Sequence, residues 1–340
     1  MSTANRRGQQ RDMNPIATSR RRIAGALAGA ALGCLAARVP AQRARVVRLA
    51  FLGVVAPSFP ITKPGSPWGV FFRDLSARGW IDGRNLKVEV RRLAGPDSVS
   101  HLAAEVVASR PDVIVCDTSS AVLALRSLTS TIPIVIHLVG FPVELGLVTS
   151  LARPGGNVTG SADFMLPMMG KYLELLREVV PGLRRIGMLW APHNPSAGLM
   201  HAEFQRLATE AGLQFTSLPV ARPDDVAGPL QAAREARLQA LYVHPFGIPK
   251  EVFAWAIEHK LPTLGQAHRG ALIGYGPDAI EQFETSARYV ALILDGKSPA
   301  DLPVVLPRRF RLVVNLRTMR AIGIELSRNF RIRVDEFLEE

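Results

Sequence analysis

Cysteine is scarce: the 340-residue chain carries only Cys34 and Cys116. That excludes a disulfide framework and a cysteine-built zinc site. Catalytic signatures are missing too. There is no Walker A loop, no Gly-x-Ser-x-Gly elbow, and no Gly-x-Gly-x-x-Gly turn after a strand. The seven histidines never fall at i, i+4, so no helix presents two imidazoles to one metal ion. Among them, His193 and His244 sit in loops after strands and read as polar lining. Aromatic residues make up 6% of the chain. The longest uncharged apolar run, Ile23 to Ala37, covers 15 residues, short for a hydrocarbon core about 30 Å thick.

What is plentiful is positive charge, +12 in all. Residues 1–41 hold seven arginines against the single acid Asp12, which is half of that excess. The remainder is spread thinly along the chain, which argues against a nucleic-acid partner. An N-terminal helix-turn-helix of a DNA-binding repressor is not offered either. Arg20-Arg21-Arg22, the apolar run and the small residues up to Ala41 are the three parts of an export signal. Residues 1–41 are therefore expected to be a signal peptide, cleaved near Ala41 on a general secretory or twin-arginine route. The mature protein would be periplasmic and would keep Cys116 alone, after the apolar Val113-Ile114-Val115.

From Arg45 onward, apolar strands alternate with amphipathic helices. Val46–Val54, Leu86–Arg92, Val113–Cys116 and Ile134–Leu138 read as strands, with helices between them. Strands such as Val113–Cys116 are apolar throughout, as in a parallel sheet covered on both faces. Arg153-Pro154-Gly155-Gly156-Asn157 breaks the pattern as a turn. A second αβ series follows, ending in a strand at Arg311–Asn315 and a helix at Leu316–Ile322. The expected fold is α/β, with two Rossmann-like, doubly wound parallel-sheet lobes. Ligands of such sheets bind beyond the carboxyl ends of the strands. The loops there carry hydroxyls, amides and aromatics, among them Ser58, Thr118, Ser119, Phe141, Asn194 and Phe246. Thr118 or Ser119 can cap the following helix, whose free N–H groups also suit a carboxylate.

Long motifs then carry a resemblance. They include Gly79-Trp80-Ile81-Asp82-Gly83-Arg84-Asn85-Leu86 and Gly140-Phe141-Pro142-Val143-Glu144-Leu145-Gly146-Leu147-Val148. Leu151-Ala152-Arg153-Pro154-Gly155-Gly156-Asn157-Val158-Thr159-Gly160 is a third. The mature chain resembles the ABC-transporter substrate-binding protein family, which includes tryptophan- and aromatic-amino-acid-type binding proteins. The resemblance implies a type I periplasmic-binding-protein fold with three crossovers between lobes. It implies an N-terminal lobe of 45–156 plus about 276–300, and a C-terminal lobe of 157–275 plus about 301–340. It implies ligand-binding roles for Ser58, Thr118, Ser119, Phe141, Phe164, Asn194, Phe246 and Tyr275. The partners implied are a small-molecule solute and ABC permease subunits, for a monomer with no cofactor, no metal and no catalytic residue.

Two departures matter. Where the family commonly reads Asn-Pro-Asn-Asn-Pro, this chain has Pro192-His193-Asn194-Pro195 after Trp190-Ala191. Where it often reads Ser-Asp-Pro, this chain has Val243-His244-Pro245. With that acid missing, an acidic or neutral aromatic solute fits as well as an amino acid. The alternatives are an exported sensing subunit for a receptor kinase and, further off, an enzyme using Cys116 or His193.

Overall fold

The computed structural model describes residues 46–54, 67–94, 96–163 and 165–339. The expected signal peptide, Ser58 and Phe164 lie outside the described residues. Strand β1 (Val47–Gly53) is followed by α1 (Pro67–Ala77), β2 (Leu86–Arg92), α2 (Val99–Ala108), β3 (Val113–Cys116), α3 (Ser119–Leu128), β4 (Ile134–Gly140) and β5 (Val158–Asp163). These five strands form one parallel sheet in the order β2-β1-β3-β4-β5.

Strand periodicity explains its two covered faces. Leu49, Phe51, Val113 and Val115 point into a cluster with Trp68, Phe71 and Leu75 of α1. Their neighbours Ala50, Leu52, Ile114 and Cys116 point the other way, onto Ala103 and Val106 of α2 and Val122 and Leu125 of α3.

The second series runs α4 (Met165–Val179), β6 (Arg185–Trp190), α5 (Pro195–Glu210), β7 (Gln214–Pro219), α6 (Ala227–Glu235), β8 (Ala240–Val243), α7 (Glu251–Glu258), β9 (Thr263–Leu264) and β10 (Ile273–Pro277). After it come α8 (Ala279–Leu294), β11 (Phe310–Asn315), α9 (Leu316–Ile322), α10 (Arg328–Ile332) and β12 (Glu336–Leu338). Seven strands make the second sheet, in the order β12-β11-β10-β9-β8-β6-β7. It is not wholly parallel as expected: β10 and β11 pair antiparallel, because β11 enters from a crossover rather than through a helix on the same sheet.

The lobe boundaries also differ from the expectation. Val158–Asp163 pairs with β4 and so belongs to the first sheet, although the expected boundary at 156/157 puts it in the second lobe. Its strand state comes from long-range pairing: Val305 N–H donates to Gly160 O at 3.0 Å, and Ala162 N–H to Val305 O at 2.9 Å. Leu302, Val304 and Val305 pack with first-sheet clusters, so the last crossover follows residue 305 rather than 300. Helix α8 likewise packs on the first lobe through Phe283, Ala287 and Val290. The chain therefore passes between the sheets three times: after Asp163, after Pro277, and between Val305 and Phe310.

Candidate functional site

The carboxyl ends of the parallel strands converge where the two lobes meet. Glycine opens the first corner. A Cβ on Gly53 would lie 2.1 Å from Asp117 Oδ1. That oxygen accepts the Val54 N–H at 2.9 Å, which ties the end of β1 to the end of β3. Thr118 then caps α3, its hydroxyl accepting the Ala121 N–H at 3.3 Å. On the other lobe Asn194 caps α5. Its Oδ1 accepts the Ser196 N–H at 3.1 Å.

These two helix starts touch. The Ser119 hydroxyl donates to Asn194 Oδ1 at 3.0 Å and lies 2.8 Å from Ser196 Oγ. The Ser196 hydroxyl in turn donates to Gly140 O at 3.1 Å. All three side chains are buried. At the rim, Arg222 of the second lobe reaches Asp97 of the first at 2.7 Å, an exposed ion pair.

Two cavities flank this contact. The outer one, about 230 Å³, takes Val54, Leu93 and Thr118 from the first lobe. From the second lobe it takes His193, Asn194, Phe246, Ile248 and Arg269. No aspartate or glutamate lines it among the described residues. Arg269 donates to Gln266 Oε1 at 2.8 Å and to Ile248 O at 3.2 Å, which aims its guanidinium along the wall. Burial lowers the pKa of Arg269, but the guanidinium keeps its charge. Burial also lowers the His193 pKa, so its imidazole is neutral at pH 7. Its Nδ1 has no hydrogen-bond partner among the described residues.

The inner cavity, about 390 Å³, lies toward the crossovers. Asp163, Tyr172, Tyr242, Tyr275 and Phe246 are on its wall, so Phe246 separates the two spaces.

The residues expected from the sequence are thus distributed unevenly. Thr118, Asn194 and Phe246 line the outer cavity, and Phe246 and Tyr275 the inner one. Ser119 is spent on the contact between lobes. Phe141 is buried in the cluster with Met168, Tyr172 and Met200, away from both cavity walls, and its φ of +56° turns it there. Arg269, Asp163, Tyr172 and Tyr242 escaped the sequence reading. Tyr172 and Tyr242 look like ordinary core positions of a helix and a strand, and only the meeting of the two lobes brings them to one wall with Asp163.

Buried histidine elsewhere is structural. His137 bonds Ser286 Oγ at 2.9 Å between Trp68 and Phe283, and burial pushes its pKa down to about 4. His244 is likewise pushed to about 4 by burial, its Nδ1 against the Phe246 backbone. Cys116 is fully buried and its thiol is held well above the usual range, again by burial. Among the described residues, no cluster of three or more potential metal ligands forms, and no helix is long and apolar enough to cross a membrane.

A family model described as "ABC transporter substrate binding protein" matches residues 69–337. The Tyrosine-binding protein of Clostridioides difficile (strain R20291) is 26% identical over 279 residues, covering 79% of this chain and 78% of that protein. The crystal structure of a conserved domain protein from Vibrio cholerae is 26% identical, with a TM-score of 0.77, over 86% of this chain and all of that one. The ABC domain from Streptococcus pneumoniae in complex with L-Trp is 21% identical, with a TM-score of 0.75, over 86% of this chain and 99% of its own.

Proposed function

Because this chain belongs to the ABC transporter substrate-binding protein family, we propose that it captures a small aromatic, carboxylate-bearing solute between its lobes and delivers it to a membrane permease for import. The observation that carries this reading is the outer cavity. It lies on the seam of the two lobes, and the starts of α3 and α5 both border it through Thr118 and Asn194. Helix N-termini present unpaired N–H groups and a positive dipole end, a setting for an anion. Arg269 adds charge of the same sign, and Glu251, whose carboxylate interacts with it, does not line the cavity. Phe246, Leu93 and Ile248 supply apolar surface for a ring. The named ligands of two similar proteins, tyrosine and L-Trp, are aromatic and carry a carboxylate.

The mechanism follows from bistable closure. An open cleft admits solute and water. Bridging both lobes, the solute favours the closed arrangement by its differential affinity for it. The Ser119–Asn194–Ser196 contact completes that closure without any covalent step. Export to the periplasm would remove residues 1–41, which mass analysis of the exported protein would show as a start near Gln42.

Calorimetric titration with a panel of aromatic carboxylates and aromatic amino acids tests the reading. A saturable heat that weakens at least about tenfold in Arg269→Gln is expected. Silence across the panel would contradict it.

A further inference from the structure

Strand β4 ends at the seam in a conformation that its sequence disfavours. Leu138 and Phe141 have positive φ, +54° and +56°, a region that bulky side chains rarely enter. Phe141 also precedes Pro142, and a residue before proline prefers extended backbone. The pairing of β4 with β5 shifts register between His137 and Val139, and the Leu138 N–H donates to Ser161 Oγ at 3.2 Å. Backbone strain of this kind persists only where the surrounding structure over-determines it.

What fixes Phe141 lies on the other lobe. Its side chain is buried in the cluster built from Met168, Met169 and Tyr172 of α4 and Met200 and Phe204 of α5. Every other buried member of that cluster, among the described residues, belongs to the second lobe. Leu145 packs against the clusters of both lobes, while Leu147 and Val148 root the same loop in the first. The backbone is held from the same side, because the Ser196 hydroxyl of α5 donates to Gly140 O at 3.1 Å. The Leu145 N–H donates to Phe141 O at 2.9 Å and closes the turn. Phe141 itself lines neither cavity. Drawing its ring out of the second-lobe core would expose apolar surface to water, a cost set against any separation of the lobes there.

We infer that Phe141 is a positioning residue for closure: its ring, seated in the core of the second lobe, holds the two lobes in their closed arrangement and so sets solute affinity without touching the solute. The inference rests on closure around a solute being the working motion.

Spin labels at Ser100→Cys in α2 and Arg234→Cys in α6, exposed positions on the two lobes, report the distance across the cleft. Cys116 is buried and stays unlabelled. Without solute, Phe141→Ala is expected to give a longer and broader distance distribution than the labelled parent. Affinity for a solute that the parent binds should fall by about tenfold or more, through faster release. Leu125→Ala, a truncation inside the first-lobe core, should lower the melting temperature and leave the distances unchanged. Phe141→Leu provides the same comparison should Phe141→Ala not fold. Distances that match the parent, or that move no more than in Leu125→Ala, would overturn the inference and leave the cleft reading intact. Because the distances are read without solute, silence across the panel of aromatic carboxylates would contradict the solute reading alone.

Discussion

Single residues set the geometry of the cleft by what they lack or what they keep dry. Gly53 is required by contact rather than by φ, since a methyl group there would collide with the Asp117 carboxylate. Gly53→Ala should lower stability by about 1–3 kcal/mol, read as a shift in the urea midpoint. His137 and His244 show how burial couples to acidity. Their folded pKa values, about 4, lie below the unfolded value near 6.5, so below pH 6.5 the unfolded chain binds protons that the native protein refuses. Stability should be insensitive to these groups above pH 6.5. It should fall as pH drops from 6.5 toward 4, with each histidine contributing up to about 1.4 kcal/mol per pH unit. Urea midpoints across that range check the slope, which His137→Asn should make shallower. Neither burial was legible beforehand: His137 sits in an apolar strand, and its place between Trp68 and Phe283 depends on α1 and α8 arriving from opposite ends of the chain.

At the scale of elements, two helix starts do most of the positioning. Thr118 and Asn194 stand directly before helices with free N–H groups; the sequence offers Thr118 or Ser119 as a cap, whereas Asn194 reads there only as a loop amide. Asn194→Ala should cost about 1 kcal/mol of stability through the lost cap. It should also weaken solute binding, because the same Oδ1 holds Ser119 across the cleft. Thermal melts and calorimetry on one sample separate the two effects. Strand β5 shows where reading stops. Val158-Thr159-Gly160-Ser161-Ala162-Asp163 has neither apolar alternation nor β-branched density, and Gly160 permits a φ of +129° against the Ile136 backbone. Its pairing partners are β4 and the segment at Val305, so contacts distant in sequence decide its state and with it the position of the first crossover. By contrast Val113–Cys116 announced itself, because a strand covered on both faces must be apolar at every position.

For the whole molecule, the balance between open and closed lobes is the functional quantity. The contacts across the seam are of two kinds. The Arg222–Asp97 pair is exposed and belongs to the class that contributes about 0–1 kcal/mol. The Ser119, Asn194 and Ser196 contact is buried, and a solute must be accommodated beside it. Arg222→Ala is therefore expected to change solute affinity less than about threefold, measured by titration at 0.15 M salt. A two-lobed α/β layout was legible from the alternation of strands and helices, but the boundary was not, because the turn at 153–157 lies inside the first lobe. The division of the cleft into an anion-suited outer space and a tyrosine-lined inner one was not. It arises when Tyr172 of α4, Tyr242 of β8 and Asp163 of β5 meet, residues that no local pattern connects.

A crystal structure of the protein grown with its tightest-binding aromatic solute examines that division most directly. Density should bridge the lobes, with a carboxylate near the starts of α3 and α5 and a ring against Phe246. A solute resting on one lobe alone, or outside the seam, would contradict capture between the lobes.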